Sequence, residues 1–135
     1  MDKTLGKHII ADLYNVNEFK LMEINKLTYE PFNLFIKNTL KESNINLLSQ
    51  TVHHFDGYSG AFTALYLLAE SHLSIHTWPE HKYIALDVFT CGNCNTQLIV
   101  DKLVQYFEPE EKKIKIMIRG NILESFYPNG EPYYS

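Results

Sequence analysis

The chain has little of several things, and each scarcity limits what the protein can be. It contains only two cysteines, Cys91 and Cys94, a number that does not suggest the disulfide framework of a small secreted protein. Its longest apolar runs, such as Ala61–Ala69, are too short to cross a bilayer, and no charged segment followed by an apolar one opens the sequence. We therefore expect a cytoplasmic protein with no membrane partner.

Positive charge is scarce as well. The sequence has 12 Lys and Arg against 16 Asp and Glu, a net charge of −4, and its basic residues do not cluster. Proteins that hold nucleic acids neutralise phosphates with basic patches, so we expect no nucleic-acid partner. A length of 135 residues with 45% hydrophobic residues predicts one globular domain. Such a domain is short for an enclosed active site, a problem that a site shared across a dimer would solve.

Apolar patterning predicts the secondary structure. Strands are expected at residues 8–14, 45–55 and 61–69, in a run that begins at Ser71, and at residues 112–118. Helices are expected after Pro31 and over Thr96–Phe107, where apolar residues recur at three- and four-residue spacing. Together these elements predict an α+β fold, a two-layer sandwich whose antiparallel sheet carries helices on one face. The aromatic side chains of the tail, residues 121–135, suggest packing without regular structure.

The most informative stretch is Leu68–Glu80, followed by Asp87–Gly92. It places a Glu-Ser bond before Ser71, a histidine at His76 and a cysteine at Cys91. A serine hydroxyl can attack the carbonyl carbon of the preceding peptide bond and turn that amide into an ester. Removal of the serine Hα by a base then expels the ester by β-elimination, which breaks the chain and, once water has displaced the amino group as ammonia, leaves a pyruvoyl group. Taken singly, Ser71 reads as an ordinary turn residue and His76 as a hydrogen-bonded core residue.

This stretch resembles the prokaryotic S-adenosylmethionine decarboxylase proenzymes, whose signature runs ESHxSIHTWPE and then YxAxDxFTCG. The likeness is continuous over Leu68–Gly92, and the opening Leu5–Tyr14 also resembles the first strand of that family. It implies cleavage between Glu70 and Ser71, which would divide one domain into a β chain, residues 1–70, and an α chain, residues 71–135. It also implies a homodimer of cleaved protomers that acts on S-adenosylmethionine for spermidine synthesis.

The resemblance further implies roles for individual residues. Ser71 becomes the pyruvoyl group, His76 is the base for the elimination, and the hydroxyl of Thr63 assists processing. Cys91 returns a proton to the substrate carbon after CO₂ leaves, which a thiol with an ordinary pKa of about 8.5 can do near neutrality. The pyruvoyl group replaces pyridoxal phosphate as the electron sink. Whether His76 reaches Ser71 depends on a bend in the strand, since an extended strand puts them on opposite faces.

For substrate binding, the resemblance assigns the ribose hydroxyls to Glu80 and the adenine to Phe55, for which Tyr58 could substitute. Ordinary packing of a loop aromatic is the alternative for Phe55 and Tyr58. The loop at residues 53–63 lacks the proline usual in the family and is about two residues longer, a change that surface loops tolerate. Lys82 stands where the family has glycine. These departures make the reaction type a firmer expectation than the substrate.

Other functions remain open at this point. The same chemistry could act on ornithine or arginine, or the chain could be a non-catalytic homologue that regulates a decarboxylase. A zinc site could draw on Cys91, Cys94, His72 and His76, but their order and spacing match no common zinc signature, so we expect no metal. A redox role for the CxxC motif is also disfavoured, because no thioredoxin-like βαβ pattern accompanies it.

Overall fold

Six strands form one antiparallel sheet in an order that differs from their order along the chain. The computed structural model describes residues 4–69 and 71–121. The strands are β1 (Thr4–Tyr14), β2 (Leu47–His54), β3 (Phe62–Leu68), β4 (Ser71–Trp78), β5 (Tyr83–Cys91) and β6 (Glu111–Asn121). They pair in the order β2-β3-β4-β5-β1-β6, and each pairing is antiparallel. The central position of β4 and β5 puts the predicted motif in the middle of the sheet.

The helices cover one face of this sheet. They are α1 (Glu18–Met22), α2 (Glu30–Glu42) and α3 (Thr96–Phe107), and a single 3₁₀ turn lies at Pro79–His81. The apolar stripes of α2 and α3 join the strand residues in one buried core, and α3 packs on β1 and β5. The predicted α+β architecture, with helices on one face of an antiparallel sheet, is confirmed. In the described segments, no helix has the length and apolar character needed to span a membrane.

Alternation along the strands gives the sheet two different faces. In β4 the helix-facing side chains are buried, whereas the side chains that alternate with them are partly or fully exposed: His72, Ser74, His76 and Trp78. We call the surface that carries these four residues the open face. Leu65 and Leu67 of β3 lie on the same surface and are 50% and 54% exposed. Each of the two is the cross-strand neighbour of an open-face residue of β4, Leu65 of Ser74 and Leu67 of His72.

Most predicted elements agree with the structure to within a few residues. The helix at Thr96–Phe107 has the predicted bounds, and the predicted strand at residues 8–14 is the C-terminal part of β1. Neither α1, which is five residues long, nor β5 was predicted from the sequence. Glu70 and the aromatic tail residues fall outside the described residues, so their predictions are not tested.

A buried polar network connects α2 to the sheet. The hydroxyl of Tyr66 in β3 donates to Asn33 Oδ1 of α2 at 3.1 Å, and the hydroxyl of Tyr29 lies 2.5 Å from that of Tyr66. Gln50 of β2 donates to the same Asn33 oxygen at 2.9 Å. Burial raises the pKa of Tyr29 to about 12, despite the hydrogen bond with Tyr66, and it raises the pKa of Tyr66 as well. Both phenols therefore stay neutral at physiological pH.

Candidate active site

Thr63 and His76 are directly opposed on neighbouring strands. The register of β3 and β4 pairs these two residues, and their side chains both lie on the open face. Thr63 Oγ1 is 3.2 Å from His76 Nδ1, a hydrogen bond that fixes the orientation of the imidazole ring. A hydrogen bond between the two is what the predicted roles require, with His76 as the base and the Thr63 hydroxyl assisting processing. The structure thus brings together two of the residues that the sequence singled out.

A cavity of about 230 Å³ opens beside this pair. Its lining includes five predicted site residues: Phe55, Tyr58, Thr63, His76 and Glu80. The cavity is walled by the loop between β2 and β3 on one side and by the end of β4 with the following 3₁₀ turn on the other. The residues predicted to hold the substrate and those predicted to assist processing therefore share one space.

Thr77 fastens the loop that walls this cavity. Its buried hydroxyl accepts the backbone N–H of Phe62 at 2.9 Å and donates to the carbonyl oxygen of Gly60 at 2.5 Å. Gly60 has φ +90, and a Cβ there would lie 2.4 Å from the carbonyl oxygen of Leu21 in α1. The loop can approach α1 this closely only because residue 60 has no side chain.

Phe55 and Tyr58 project from this loop without being part of the core. Their exposed fractions are 50% and 56%, and Phe55 contacts the ring of His53 with a centroid distance of 4.7 Å. An aromatic side chain that only anchored the loop would be buried, so their exposure favours a role in binding.

The lining also includes residues that were not predicted from the sequence. Asp56 and Trp78 line the same space, and the ring of Trp78 stacks on Tyr83 with a centroid distance of 5.3 Å. The hydroxyl of Tyr83 donates to Asp12 Oδ1 at 2.5 Å; burial and this bond raise the Tyr83 pKa to about 12. The signal for Trp78 was available, since its offset of two from His76 puts both on one face of an extended strand.

Ser71 lies at the opposite end of β4 from this cavity. It is 9% exposed, its backbone pairs with Leu68, and its hydroxyl donates to the carbonyl oxygen of Ala69 at 3.0 Å. Burial alternates without interruption from Ser71 to Trp78, so β4 has no bend that could bring His76 back to Ser71. Five residues of extended strand separate their Cα atoms by about 16 Å. Within one protomer, the two residues do not meet.

Cys91 lies at the same end of the sheet as Ser71. It is the last residue of β5, and the β4–β5 register, which pairs His72 with Phe89, puts the end of β5 beside the beginning of β4. The Cys91 thiol donates to Asn93 Oδ1 at 3.1 Å. The predicted site residues therefore fall into two groups, one at each end of β4.

A histidine–aspartate cluster lies on the open face between these groups. His8 Nε2 and His72 Nε2 are 2.6 and 3.1 Å from the same oxygen of Asp87, and an Arg119 nitrogen lies 3.4 Å from His8 Nδ1. Arg119 can only donate, so His8 Nδ1 accepts and its Nε2–H donates to Asp87. Among the described residues, His8, His72 and Asp87 are the group whose donor atoms could surround a metal ion. A histidine that binds a metal through one ring nitrogen donates the N–H of the other. His8 Nδ1 instead accepts from Arg119, so this contact opposes metal binding by His8.

The zinc alternative considered from the sequence meets a geometric obstacle. His72 and His76 lie four residues apart on the straight strand β4. That spacing separates their Cα atoms by about 13 Å, too far for both imidazoles to bind one ion.

Comparisons with known proteins identify the family of the chain. The sequence model of the S-adenosylmethionine decarboxylase family matches residues 7–120. An S-adenosylmethionine decarboxylase proenzyme of Sulfurihydrogenibium sp. is 39% identical over 121 residues, which cover 89% of this chain and 86% of the relative. An S-adenosylmethionine decarboxylase proenzyme 2 of Bacillus cereus is 38% identical over 118 residues, 87% of this chain and 90% of the relative. The crystal structure of the adenosylmethionine decarboxylase from Aquifex aeolicus superposes with a TM-score of 0.72 at 32% identity, covering 87% of this chain and 92% of that one. On these matches, the chain belongs to the S-adenosylmethionine decarboxylase family.

Proposed function

We propose that the protein decarboxylates S-adenosylmethionine with a pyruvoyl group that it makes from its own Ser71. The observation that carries this proposal is the cavity beside the Thr63–His76 hydrogen bond, since it also collects Glu80 and Phe55 in a member of the family. The product would be the aminopropyl donor for spermidine synthesis, made in the cytoplasm. No metal is needed for this chemistry.

Cleavage between Glu70 and Ser71 would divide the domain into residues 1–70 and 71–135. The Ser71 hydroxyl attacks the carbonyl carbon of the preceding residue, and His76 then removes the Ser71 Hα so that the carboxylate is expelled. Water hydrolyses the imine tautomer of the resulting dehydroalanine, which releases ammonia and leaves the pyruvoyl group. Ser71 is a suitable place for such a break because it is the first residue of β4, and the sheet pairing of residues 72–78 does not depend on the bond before it. When present, the pyruvoyl group supplies an electron sink for decarboxylation.

The separation of Ser71 from His76 implies that each site is built from two protomers. We infer that Ser71 and Cys91 of one protomer meet Thr63, His76 and the cavity of its partner. A two-fold axis would then create two identical sites, as in most homodimers. A cavity of about 230 Å³ in a single protomer is smaller than most ligand sites, which hold about 300–1,000 Å³, and so fits half of a site.

The open face is the surface we propose for this pairing. Leu65 and Leu67 are half exposed there, and Ile10 of β1 is 37% exposed on the same side of the sheet. Burial of about 100 Å² of apolar surface contributes roughly 2.5 kcal/mol, so a few such side chains favour association.

Within the shared site, His76, Cys91 and Glu80 have separate tasks. The imidazole of His76, whose orientation is supported by the hydrogen bond with Thr63, would remove the Ser71 Hα during processing. The Cys91 thiol returns a proton to the substrate carbon once CO₂ has left. The Glu80 carboxylate can accept both ribose hydroxyls, while Phe55 or Tyr58 stacks on the adenine.

Release of CO₂ from S-adenosylmethionine, ornithine and arginine tests the proposal. We expect turnover of S-adenosylmethionine alone. Glu80→Gln should raise KM about tenfold or more, because a hydrogen bond to a charged group contributes about 1.5–3 kcal/mol. Glu111→Gln, at an exposed glutamate that begins β6, is the matched control and should change nothing.

The other outcomes identify the alternatives. Turnover of ornithine or arginine instead would keep the chemistry and replace the substrate. A cleaved protein without activity on any of the three, or a chain that stays uncleaved, would favour a regulatory homologue.

A further inference from the structure

The two cysteines of the chain lie against each other in the turn between β5 and α3. Cys91 Sγ and Cys94 Sγ are 2.7 Å apart, and no disulfide joins them. The backbone N–H of Cys94 donates to the carbonyl oxygen of Cys91 at 3.1 Å, which closes a turn over residues 91–94. A turn of this kind keeps its end Cα atoms within about 7 Å, and disulfides usually require about 4.4–6.8 Å. The backbone therefore already has a separation that a disulfide can bridge.

The surroundings of the pair suit thiol chemistry. Both side chains are partly exposed, so a small reagent can reach them. Helix α3 begins two residues after Cys94 with Asn95 as its N-cap, and its first turn contains no acidic residue. The pair thus lies in the partly exposed connection between β5 and α3, where a small disulfide reagent can approach both sulfurs.

From this geometry we propose that Cys91 and Cys94 are a dithiol–disulfide couple that exchanges with small-molecule disulfides of the glutathione type. One thiolate attacks a sulfur of the oxidised reagent, forms a mixed disulfide and releases one reagent thiolate. The second cysteine thiolate then attacks the protein sulfur of the mixed disulfide, which closes the Cys91–Cys94 bond and releases the second reagent thiolate. The reagent accepts two electrons, and the two protons lost by the cysteines go to its two thiols.

The consequence for activity rests on the function proposed above. Cys91 is the proposed proton donor, and its sulfur has no proton to donate while it is bonded to Cys94. Oxidation would then stop decarboxylation without unfolding the protein, since the turn already has the required backbone geometry. Reduction would restore activity.

Thiol alkylation followed by denatured mass measurement tests the couple directly. The purified, processed protein is equilibrated in glutathione buffers from fully reduced to mostly oxidised, quenched with acid, unfolded and treated with N-ethylmaleimide. Under oxidising conditions, we expect the chain that carries both cysteines to be two hydrogen atoms lighter and unlabelled. Under reducing conditions it should take two labels. Decarboxylation measured on the same samples should fall at least about tenfold on oxidation, because loss of a general acid typically costs about 10²-fold or more.

Cys94→Ser is the matched variant. When reduced, it should keep the activity of the parent protein, and when oxidised it should show a free thiol or a glutathione adduct at Cys91, never the loss of two hydrogens. Two labelled cysteines in the parent protein under the most oxidising buffer, or glutathione adducts alone, would overturn the proposal.

The mass result is independent of the decarboxylase proposal. A disulfide that forms while turnover is unchanged would overturn the control of activity and count against Cys91 as the proton donor. A protein that never decarboxylates but forms the disulfide would refute the proposed function and support the redox couple.

Discussion

Two variants that are each inactive should restore cleavage to one another when they are made in the same cell. Ser71→Ala removes the nucleophile, and His76→Ala removes the base, so neither variant should cleave alone. In a mixed dimer, His76 of the first variant can reach Ser71 of the second, whereas the other site lacks both groups. Cleavage should therefore appear only in the chain that carries His76→Ala.

The size of the effect follows from the geometry. A base acts within about 3 Å of the proton it removes, and about 16 Å of strand separates the two Cα atoms within one protomer. Random pairing of equal amounts of two chains gives about half mixed dimers, and one of the two sites in each is complete by symmetry. We therefore expect about a quarter of the cleavage and of the decarboxylase activity of the parent protein in the unfractionated mixture, and about half in purified mixed dimers.

The assay uses different affinity tags on the two variants, purification through both tags, and denatured mass to identify which chain is cut. A mixed dimer of the parent protein with Ser71→Ala is the control that coexpressed chains pair and process. Uncleaved mixed dimers alongside a processed control would refute a site shared between protomers, and cleavage of His76→Ala on its own would refute His76 as the base.

Three further changes have expected outcomes. Thr63→Val should slow processing about a hundredfold, because it removes the hydroxyl that contacts His76. Thr51→Val, at an exposed position of the edge strand β2, is the control and should not slow processing. Time courses of chain cleavage compare the two variants, and equal rates would contradict the role of Thr63. Leu67→Lys should convert the proposed dimer to monomer in sedimentation velocity, since it places a charge among the exposed apolar side chains of the open face; an intact dimer would place the interface elsewhere. The pKa of Tyr29 is about 12 in the folded protein and 10.0 for an ordinary tyrosine, so the stability that neutral Tyr29 contributes is complete below pH 10 and is lost as the pH rises towards 12. Denaturant unfolding should therefore show a loss of about 2–3 kcal/mol in the free energy of unfolding over this pH range. The loss should be smaller in Tyr29→Phe, and equal losses in the two proteins would refute the prediction.

Local sequence signals predicted much of the fold. The apolar spacing of Thr96–Phe107 sets the bounds of α3, and Asn95 caps it by accepting the N–H of Leu98. The alternation of β5 was also readable, because buried and partly exposed residues alternate along its whole length, yet no strand was predicted there. The short helix α1 offered no such signal, since five residues hold too few apolar positions to show a period.

The site was harder to predict because it depends on register between strands. The motif identified Thr63 and His76 as members, but their contact arises from the pairing of β3 with β4, which the order of residues does not specify. The straightness of β4, which keeps His76 away from Ser71, is likewise imposed by strands on both of its sides.

The denatured mass of the purified protein, measured beside Ser71→Ala as the uncleaved control, tests the central claim most directly. The account predicts two fragments, residues 1–70 and 71–135, and the second should be lighter by one ammonia than the same chain with an N-terminal serine. A single full-length mass after incubation under native conditions would contradict the account.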